Sequence, residues 1–363
     1  MYKYYWYKSG INESMVAALR DITNKAQQLI RLDKGDVVVD IGANDGTLLR
    51  AYTVPNLALV GFEPAENLIP SASIGTTKII NDFFSYGAYQ HQMGEVKPKV
   101  ITAIAMFYDL DDPNAFVAGI KQILHPEGVF IIQMAYLTLM LETNNFDNVC
   151  HEHLAYYSLL SLDNLLRRHD LEIFDVELND VNGGSYRVYV CHKGAGVLGF
   201  SGAQQRLDEI TEHERRLGLN SIHIYSAFAQ RVAAERKALV DFLRQEAKRG
   251  KRIYAYGAST KGNMLLQYYG LGHEVISKIA DRNPDKWGKM TVGTHIPIVS
   301  EDEARQDKPD YFLVLPWHFL RGFLVRERSY LEGGGKFVVP LPKFRVIGSA
   351  DLMPSASGSL ASR

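Results

Sequence analysis

Apolar residues along this chain follow two alternating rhythms. From Glu13 to Leu32 the positions Met15, Ala18, Leu19, Ile22, Ala26, Leu29 and Ile30 recur at the spacing of one helical face. Asn12 or Ser14 can cap that helix. Residues 37–39 are then an unbroken valine run that closes on Asp40 and breaks into Ile41-Gly42-Ala43-Asn44-Asp45-Gly46. Such a run reads as a buried strand entering a tight turn. A helix is expected near 47–53, another restarting at Pro64-Ala65, and strands over 57–62, 78–81, 99–106 and 129–134. The stretch 114–124 is amphipathic. Strands alternating with helical patterns predict a parallel, doubly wound α/β sheet. KVITAIAM, at 99–106, is nearly all apolar, which places it at the centre of that sheet.

The rhythm changes after residue 170. Residues 171–178 and 185–192 are strand-like and are joined by the turn-rich NDVNGG, which implies an antiparallel pair. Residues 205–248 are rich in Glu, Arg, Gln, Leu and Ala and read as helices connecting two domains. From Lys251 a strand, glycine-bearing loop, helix and strand follow one another again, which predicts a second Rossmann-like unit. The expected division is an aromatic segment and helix over 1–32, a first α/β domain over 33–200, a connector over 201–250 and a second domain over 251–348. The small polar residues of 349–363 predict a disordered tail. The opening MYKYYWYKSG either packs on the surface of the body or forms a lid over a pocket.

Composition narrows the function classes. At 363 residues the chain is long enough for two domains with sizeable cores. A net charge of −1 supplies no general pull toward nucleic acid or an anionic membrane. No apolar run approaches the ~20 residues that span a bilayer, and the basic, aromatic start is not a signal peptide. The two cysteines, Cys150 and Cys191, exclude a disulfide framework and a four-cysteine zinc site, and fit a reducing cytoplasm.

The loop after the first strand has the most informative spacing. Gly42 and Gly46 lack the G-x-G-x-x-G pattern of dinucleotide binders. An acid at the strand end, Asp40, repels a pyrophosphate but suits a cation or a hydroxyl. Glu63, at the end of the next apolar run, can take both ribose hydroxyls of an adenosine. Asp40, Gly42, Gly46 and Glu63 together resemble the cofactor loop of class I S-adenosylmethionine (SAM) methyltransferases. Asn44 lies inside the loop, Asp82 and Phe83 follow the third strand where they could hold an adenine, and Ala105 lies at the end of the fourth. Tyr108 and Asp109 come next and are candidate substrate contacts, because ligands sit at the carboxyl ends of parallel strands.

The densest reactive cluster is Cys150-His151-Glu152-His153. Its histidines are two apart, not four as in a helical zinc pair, so no metal is expected. A histidine beside a carboxylate suits proton transfer near neutral pH. An enzyme that methylates carbon needs such a base, because a carbon next to a ketone becomes nucleophilic once its proton is removed. Oxygen methylation needs a base too, so the cluster leaves the acceptor open. Arg187, at the mouth of the expected hairpin, could pair with a phosphate or carboxylate. In YGASTKGN, Ser259, Lys261 and Asn263 lie on a strand-to-helix loop suited to a diphosphate, without the spacing of a P-loop.

In SGIN (9–12), DIGANDGTLL (40–49), CHEHLAYYSL (150–159), GGSYRVYV (183–190) and YGASTKGN (256–263), the sequence resembles the sugar C-methyltransferase family. The resemblance implies a class I methyltransferase Rossmann-like sheet with an antiparallel terminal hairpin, and a second Rossmann-like domain that helps bind a nucleotide-linked 4-keto-deoxysugar. It implies SAM as cofactor and Glu152 and His153 as the proton-transfer pair, with His151 beside them and Tyr156 among the substrate contacts. Three departures stand out. The family usually begins with a small zinc-binding domain carrying paired cysteines, which this chain lacks, so structural zinc is not expected. Cys150 stands where the family often has tyrosine, and Asp109 near where it often has histidine. Sugar O- or N-methylation, a nicotinamide oxidoreductase using the 251–263 loop, and a non-catalytic SAM-binding subunit remain alternatives.

Overall fold

The computed structural model describes residues 2–352. The chain forms two compact units. The first comprises residues up to Thr138 together with Glu152–Leu219, and the second Leu139–His151 together with the chain from Asn220 onward.

The first unit runs through α1 (Glu13–Leu29), β1 (Val37–Ile41), β2 (Ala58–Phe62), α2 (Ile69–Ala72), β3 (Lys78–Ile80), α3 (Tyr86–Met93), β4 (Val100–Ile104), α4 (Pro113–Ile123) and β5 (Val129–Ala135). After α5 (Leu137–Glu142), which spans the boundary between the units, it resumes with α6 (Leu159–Arg167), β6 (Leu171–Asn179), β7 (Ser185–His192) and α7 (Ala203–Leu217). The strand order is β3-β2-β1-β4-β5-β7-β6. β1 to β5 are parallel, and β7 runs antiparallel to both β5 and β6. This is the five-stranded parallel sheet closed by an antiparallel hairpin that the hydrophobic pattern predicts. α1 buries Met15, Leu19, Ile22 and Ala26 against Val38, Val100, Ile131 and Tyr189 of the sheet. Its cap is Asn12, whose side chain accepts the N–H of Ser14 at 3.1 Å.

The helix expected near 47–53 is only a 3-10 turn, Leu49–Ala51. Its side chains satisfy other groups instead. Thr47 Oγ1 donates to Asp45 Oδ1 at 2.6 Å, and the Arg50 guanidinium donates to the carbonyls of Asp45, Ser71 and Ile74. The loop therefore leads into a compact, side-chain-braced crossover that offers no helix start.

The second unit contains α8 (Ile222–Lys248), β8 (Ile253–Tyr256), α9 (Thr260–Tyr269), β9 (Ile279–Asp281), β10 (Ile298–Ser300), α10 (Glu301–Gln306), β11 (Tyr311–Val314), α11 (Leu320–Arg326), α12 (Arg328–Glu332), β12 (Lys336–Val339) and β13 (Arg345–Ile347). Its sheet has the order β10-β9-β8-β11-β12-β13, parallel except for β13. The expected 201–250 connector is not one element. α7 belongs to the first unit because its buried Glu214 accepts the N–H groups of Leu159 and Leu160 at the start of α6 and the hydroxyl of Tyr136. α8 belongs to the second, where Val232, Leu239, Val240 and Leu243 enter a core with Ile253, Leu265 and Leu313. Phe146 packs in that same core, which draws Leu139–His151 into the second unit. Of the tail expected to be disordered, Ser349–Leu352 forms a 3-10 turn and 353–363 lie outside the described residues. Among the described residues no helix is long and apolar enough to cross a membrane.

Candidate active site

In the first unit the strand order reverses between β1 and β4, and the carboxyl ends of a parallel sheet at such a reversal form a crevice. The Gly42–Gly46 loop lies there. The N–H groups of Gly42 and Ala43 both donate to the carbonyl of Phe62 at 2.9 Å, which ties the loop to the end of β2. Gly42 has φ +76° and faces Met106, and Gly46 has φ +78° with Ala72 O only 2.8 Å from where a Cβ would stand. Both positions call for glycine. Asn44 also has positive φ, +51°. Its N–H donates to Glu63 Oε2 at 2.7 Å, while the N–H of Ala65 donates to Oε1 at 2.8 Å. Each carboxylate oxygen keeps a second lone pair, so the pair of oxygens is aimed and still able to receive hydroxyls. Burial raises the Glu63 pKa against those two amide bonds. Asp40 is buried on β1, and Thr102 Oγ1 donates to it at 2.6 Å. Asp82 is exposed after β3, with Phe83 beside it at 57% exposure.

The aromatic N-terminal segment crosses these loops. The N–H and carbonyl of Tyr5 bond the side chain of Asn67, and the N–H of Glu66 donates to the carbonyl of Lys3. Asn44 donates through Nδ2 to Tyr7 O and accepts the N–H of Ser9, and Asp45 accepts the N–H of Gly10 at 2.8 Å. The Tyr2 ring stands edge-on to Phe83, and its hydroxyl donates to Asp109. The Asn44 side chain is thus engaged by the segment, and the segment overlies the residues expected to hold the cofactor.

β4 ends in a strained residue. Ala105 has φ +54°, and its N–H donates to Gln133 O at 2.7 Å. The 3-10 turn Phe107–Asp109 follows. The carbonyl of Tyr108 accepts the N–H groups of Leu154 and Ala155 at 2.9 and 3.1 Å, and its ring contacts that of His153. Glu152 is close enough to Asp109 for their charges to interact. Burial first, then Glu152, pushes the Asp109 carboxyl up to about 8, against the bond from Tyr2. Asp109 Oδ1 is buried and has no hydrogen-bond partner among the described residues. Tyr108, Asp109, Glu152 and His153 therefore come together, with Tyr156 half-buried just beyond them. His151, next in the chain to Glu152, is exposed. Tyr2 and Met106 escape the sequence reading. The tyrosine-rich start was the available signal for Tyr2; nothing local marks Met106.

Arg187, two pairs in from the turn of the hairpin, faces no open space. It is 3% exposed, with Nε donating to Gln133 Oε1 at 2.9 Å and NH1 to Asp21 Oδ2 at 2.8 Å, and Glu177 lies 3.6 Å away. The register that sets it opposite Gln133 and Glu177 on β5 and β6 turns its side chain under α1.

The second sheet reverses order between β8 and β11. Ser259, at the N-cap of α9, accepts the N–H of Gly262 at 3.0 Å. The Lys261 ammonium donates to Asn148 Oδ1. Burial lowers its pKa, with Asp147 and Cys150 opposing. Asp147 Oδ2 accepts Trp317 Nε1 at 2.9 Å. The Asn263 Oδ1 and His318 Nδ1 atoms are buried without partners among the described residues. Burial, then Lys261, brings His318 down to about 3. No neighbour in sequence hints at this environment of His318.

Two family models match the chain: a methyltransferase domain over residues 11–176 and a C-methyltransferase C-terminal domain over 180–342. The C-methyltransferase NovU of Streptomyces niveus is 31% identical over 348 residues, which covers 96% of this chain and 82% of that protein. Among solved structures, the N-methyltransferase NodS of Bradyrhizobium japonicum WM9 is 12% identical, covering 48% of this chain and 96% of that one with a TM-score of 0.37. The plantazolicin methyltransferase BpumL, solved with a triazolic desmethylPZN analog and SAH, is 13% identical, covering 48% and 83% with a TM-score of 0.39.

Proposed function

The chain belongs to the SAM-dependent C-methyltransferases, and from that premise we propose that it methylates a carbon next to the ketone of a nucleotide-linked 4-keto-deoxysugar. The observation that carries this reading is the grouping of Glu152 and His153 with the end of β4, in the same unit as the Gly42–Gly46 loop.

The residues present fit the donor. SAM, when bound, supplies an electrophilic methyl on a sulfonium sulfur. Glu63 would take the ribose hydroxyls through its remaining lone pairs, and Asp82 with the exposed Phe83 ring would hold the adenine. The Gly42–Gly46 loop, Asn44, Asp40 and Ala105 would frame the methionine part. His153 takes the proton from the carbon beside the ketone, and Glu152 supports the charge that forms on the imidazole. The electron pair left behind spreads onto the ketone oxygen, which leaves the carbon nucleophilic toward the methyl that bound SAM would supply. Tyr108, Asp109 and Tyr156 would contact the sugar. In the second unit, Ser259, Lys261 and Asn263 would bind the nucleotide diphosphate: a desolvated ammonium and an N-capped helix start suit that charge. The two free cysteines of the chain, Cys150 and Cys191, suit a cytoplasmic setting.

The test is incubation of the purified protein with SAM and thymidine-diphosphate-linked 4-keto-6-deoxyglucose, followed by NMR of the product. A methyl bonded to carbon is the expected result. A methyl on oxygen or nitrogen overturns the carbon assignment, and an absence of SAM binding by calorimetry overturns the cofactor assignment.

A further inference from the structure

The carboxyl of Asp109 sits at the end of β4 between two groups from distant parts of the first unit. The Tyr2 hydroxyl donates to it, and Glu152 places a second carboxylate within electrostatic range. Among the described residues, these titratable groups act on it, and neither is a cation. Its Oδ1 atom is buried with no donor among the described residues. A buried carboxylate oxygen without a donor is costly, whereas the same group carrying a proton is a donor waiting for an acceptor. The neighbouring residue, Tyr108, holds the ring of His153.

We propose that Asp109 is a catalytic acid, which carries a proton in the resting enzyme and gives it to the ketone oxygen of the substrate while His153 removes the adjacent C–H proton. This rests on the reading of the reaction given above. The environment favours the protonated form: burial and the charge of Glu152 push the carboxyl up to about 8, so it is mostly protonated at neutral pH.

The step balances. The C–H bond breaks as His153 takes the proton, its pair becomes the carbon–carbon double bond, and the carbonyl π pair moves onto oxygen, which receives the Asp109 proton. In the second half the double-bond pair forms the new carbon–carbon bond to the methyl as the methyl–sulfur bond breaks, its pair staying on sulfur. The oxygen returns its proton to Asp109 as the carbonyl re-forms, and His153 releases its own to water. No outside oxidant or reductant is required.

Two variants and two readouts test the assignment. Asp109→Asn keeps a donor in nearly the same volume but has no titrating proton, and Asp109→Ala removes the donor. SAM affinity within twofold of wild type shows that each variant is folded. The first readout is exchange of the hydrogen next to the ketone with deuterated water in the presence of S-adenosylhomocysteine, followed by NMR on thymidine-diphosphate-linked 4-keto-6-deoxyglucose. It isolates proton removal from methyl transfer. The second is the pH profile of kcat. Asp109→Ala is expected to slow exchange about 100-fold or more. Wild type is expected to lose kcat on the alkaline side of about pH 8, and Asp109→Asn to be slower but without that loss. Exchange in Asp109→Ala as fast as in wild type, or an unchanged alkaline fall in Asp109→Asn, overturns the acid role while leaving the reaction standing. Wild-type protein that binds SAM yet neither exchanges nor methylates a keto sugar takes down both readings.

Discussion

The ring of His153 lies 4.0 Å from that of Tyr108, centroid to centroid, with the planes inclined by 41°. The carbonyl of the same tyrosine binds the N–H groups of the two residues after the histidine. One residue thus holds both the side chain and the main chain of the proposed base, and ties them to the strand at the centre of the sheet. Replacing Tyr108 by Leu removes the aromatic contact and keeps the backbone bonds. Because small displacements of a reacting group are costly, kcat is expected to fall about 100-fold with the Kd for SAM little changed. His153→Ala is expected to be slower still, by 10²- to 10⁴-fold as an approximate range. Steady-state kinetics and calorimetric titration check both. Near-normal kcat in either variant removes the histidine from the mechanism.

Glu63 receives one backbone N–H on each oxygen. In Glu63→Gln one of those oxygens becomes an NH2 group, which meets a donor with a donor. The loop should loosen by about 1–3 kcal/mol, the cost of an unsatisfied buried polar group. SAM affinity should fall at least tenfold, since the same atoms are to hold the ribose. Chemical denaturation and titration calorimetry measure the two effects separately. A variant that loses stability but binds SAM normally would move the ribose site elsewhere.

What the sequence alone makes legible is what is local. The strand ends at Asp40 and Glu63, the positive-φ glycines, the hairpin after residue 170 and the capped start of α1 each follow from spacing within a few residues. Arg187 shows where that fails. Its partner Asp21 lies 166 positions away, so a side chain that reads as a phosphate or carboxylate contact is enclosed by long-range pairing. The helix expected near 47–53 fails for a related reason: Arg50 reaches carbonyls 21 and 24 residues downstream and braces a tighter turn. α7 and α8 look alike in composition, and only the burial of Glu214 against α6 separates them. Tyr2 belongs to the site solely because the chain folds back over its own loops.

Asp40 gives a prediction with a definite sign. Burial, opposed by the Thr102 hydroxyl and reinforced by Glu63, raises its pKa from 3.8 to about 7. Between those values the folded protein holds a proton that the unfolded chain has released. The contribution of this group to stability is therefore full below about pH 4 and lost as pH rises toward 7. Asp40→Asn cannot titrate, so the stability of wild type relative to the variant should decline over that window, by on the order of 4 kcal/mol at most. Urea unfolding at several pH values between 4.5 and 7.5 measures it. A relative stability that increases with pH contradicts the environment described for this carboxyl.

Arg187 tests whether a buried cation is structural. Its guanidinium reaches Gln133, Asp21 and Glu177, all within the first unit and all on side chains of the sheet or α1. Arg187→Met fills much of the same volume without the charge. Glu177 keeps the Tyr189 hydroxyl at 2.9 Å and its ion pair with Lys25, and Gln133 keeps Asn179, so the partners are not wholly orphaned. The expected loss is about 3 kcal/mol, at the lower end for breaking a buried pair. KM for the sugar nucleotide should stay within twofold, because none of these bonds faces a ligand. Unfolding curves and steady-state kinetics on the same preparation decide it. A tenfold rise in KM at unchanged stability would give the guanidinium back to the substrate, which the enclosure of this side chain by its internal partners argues against.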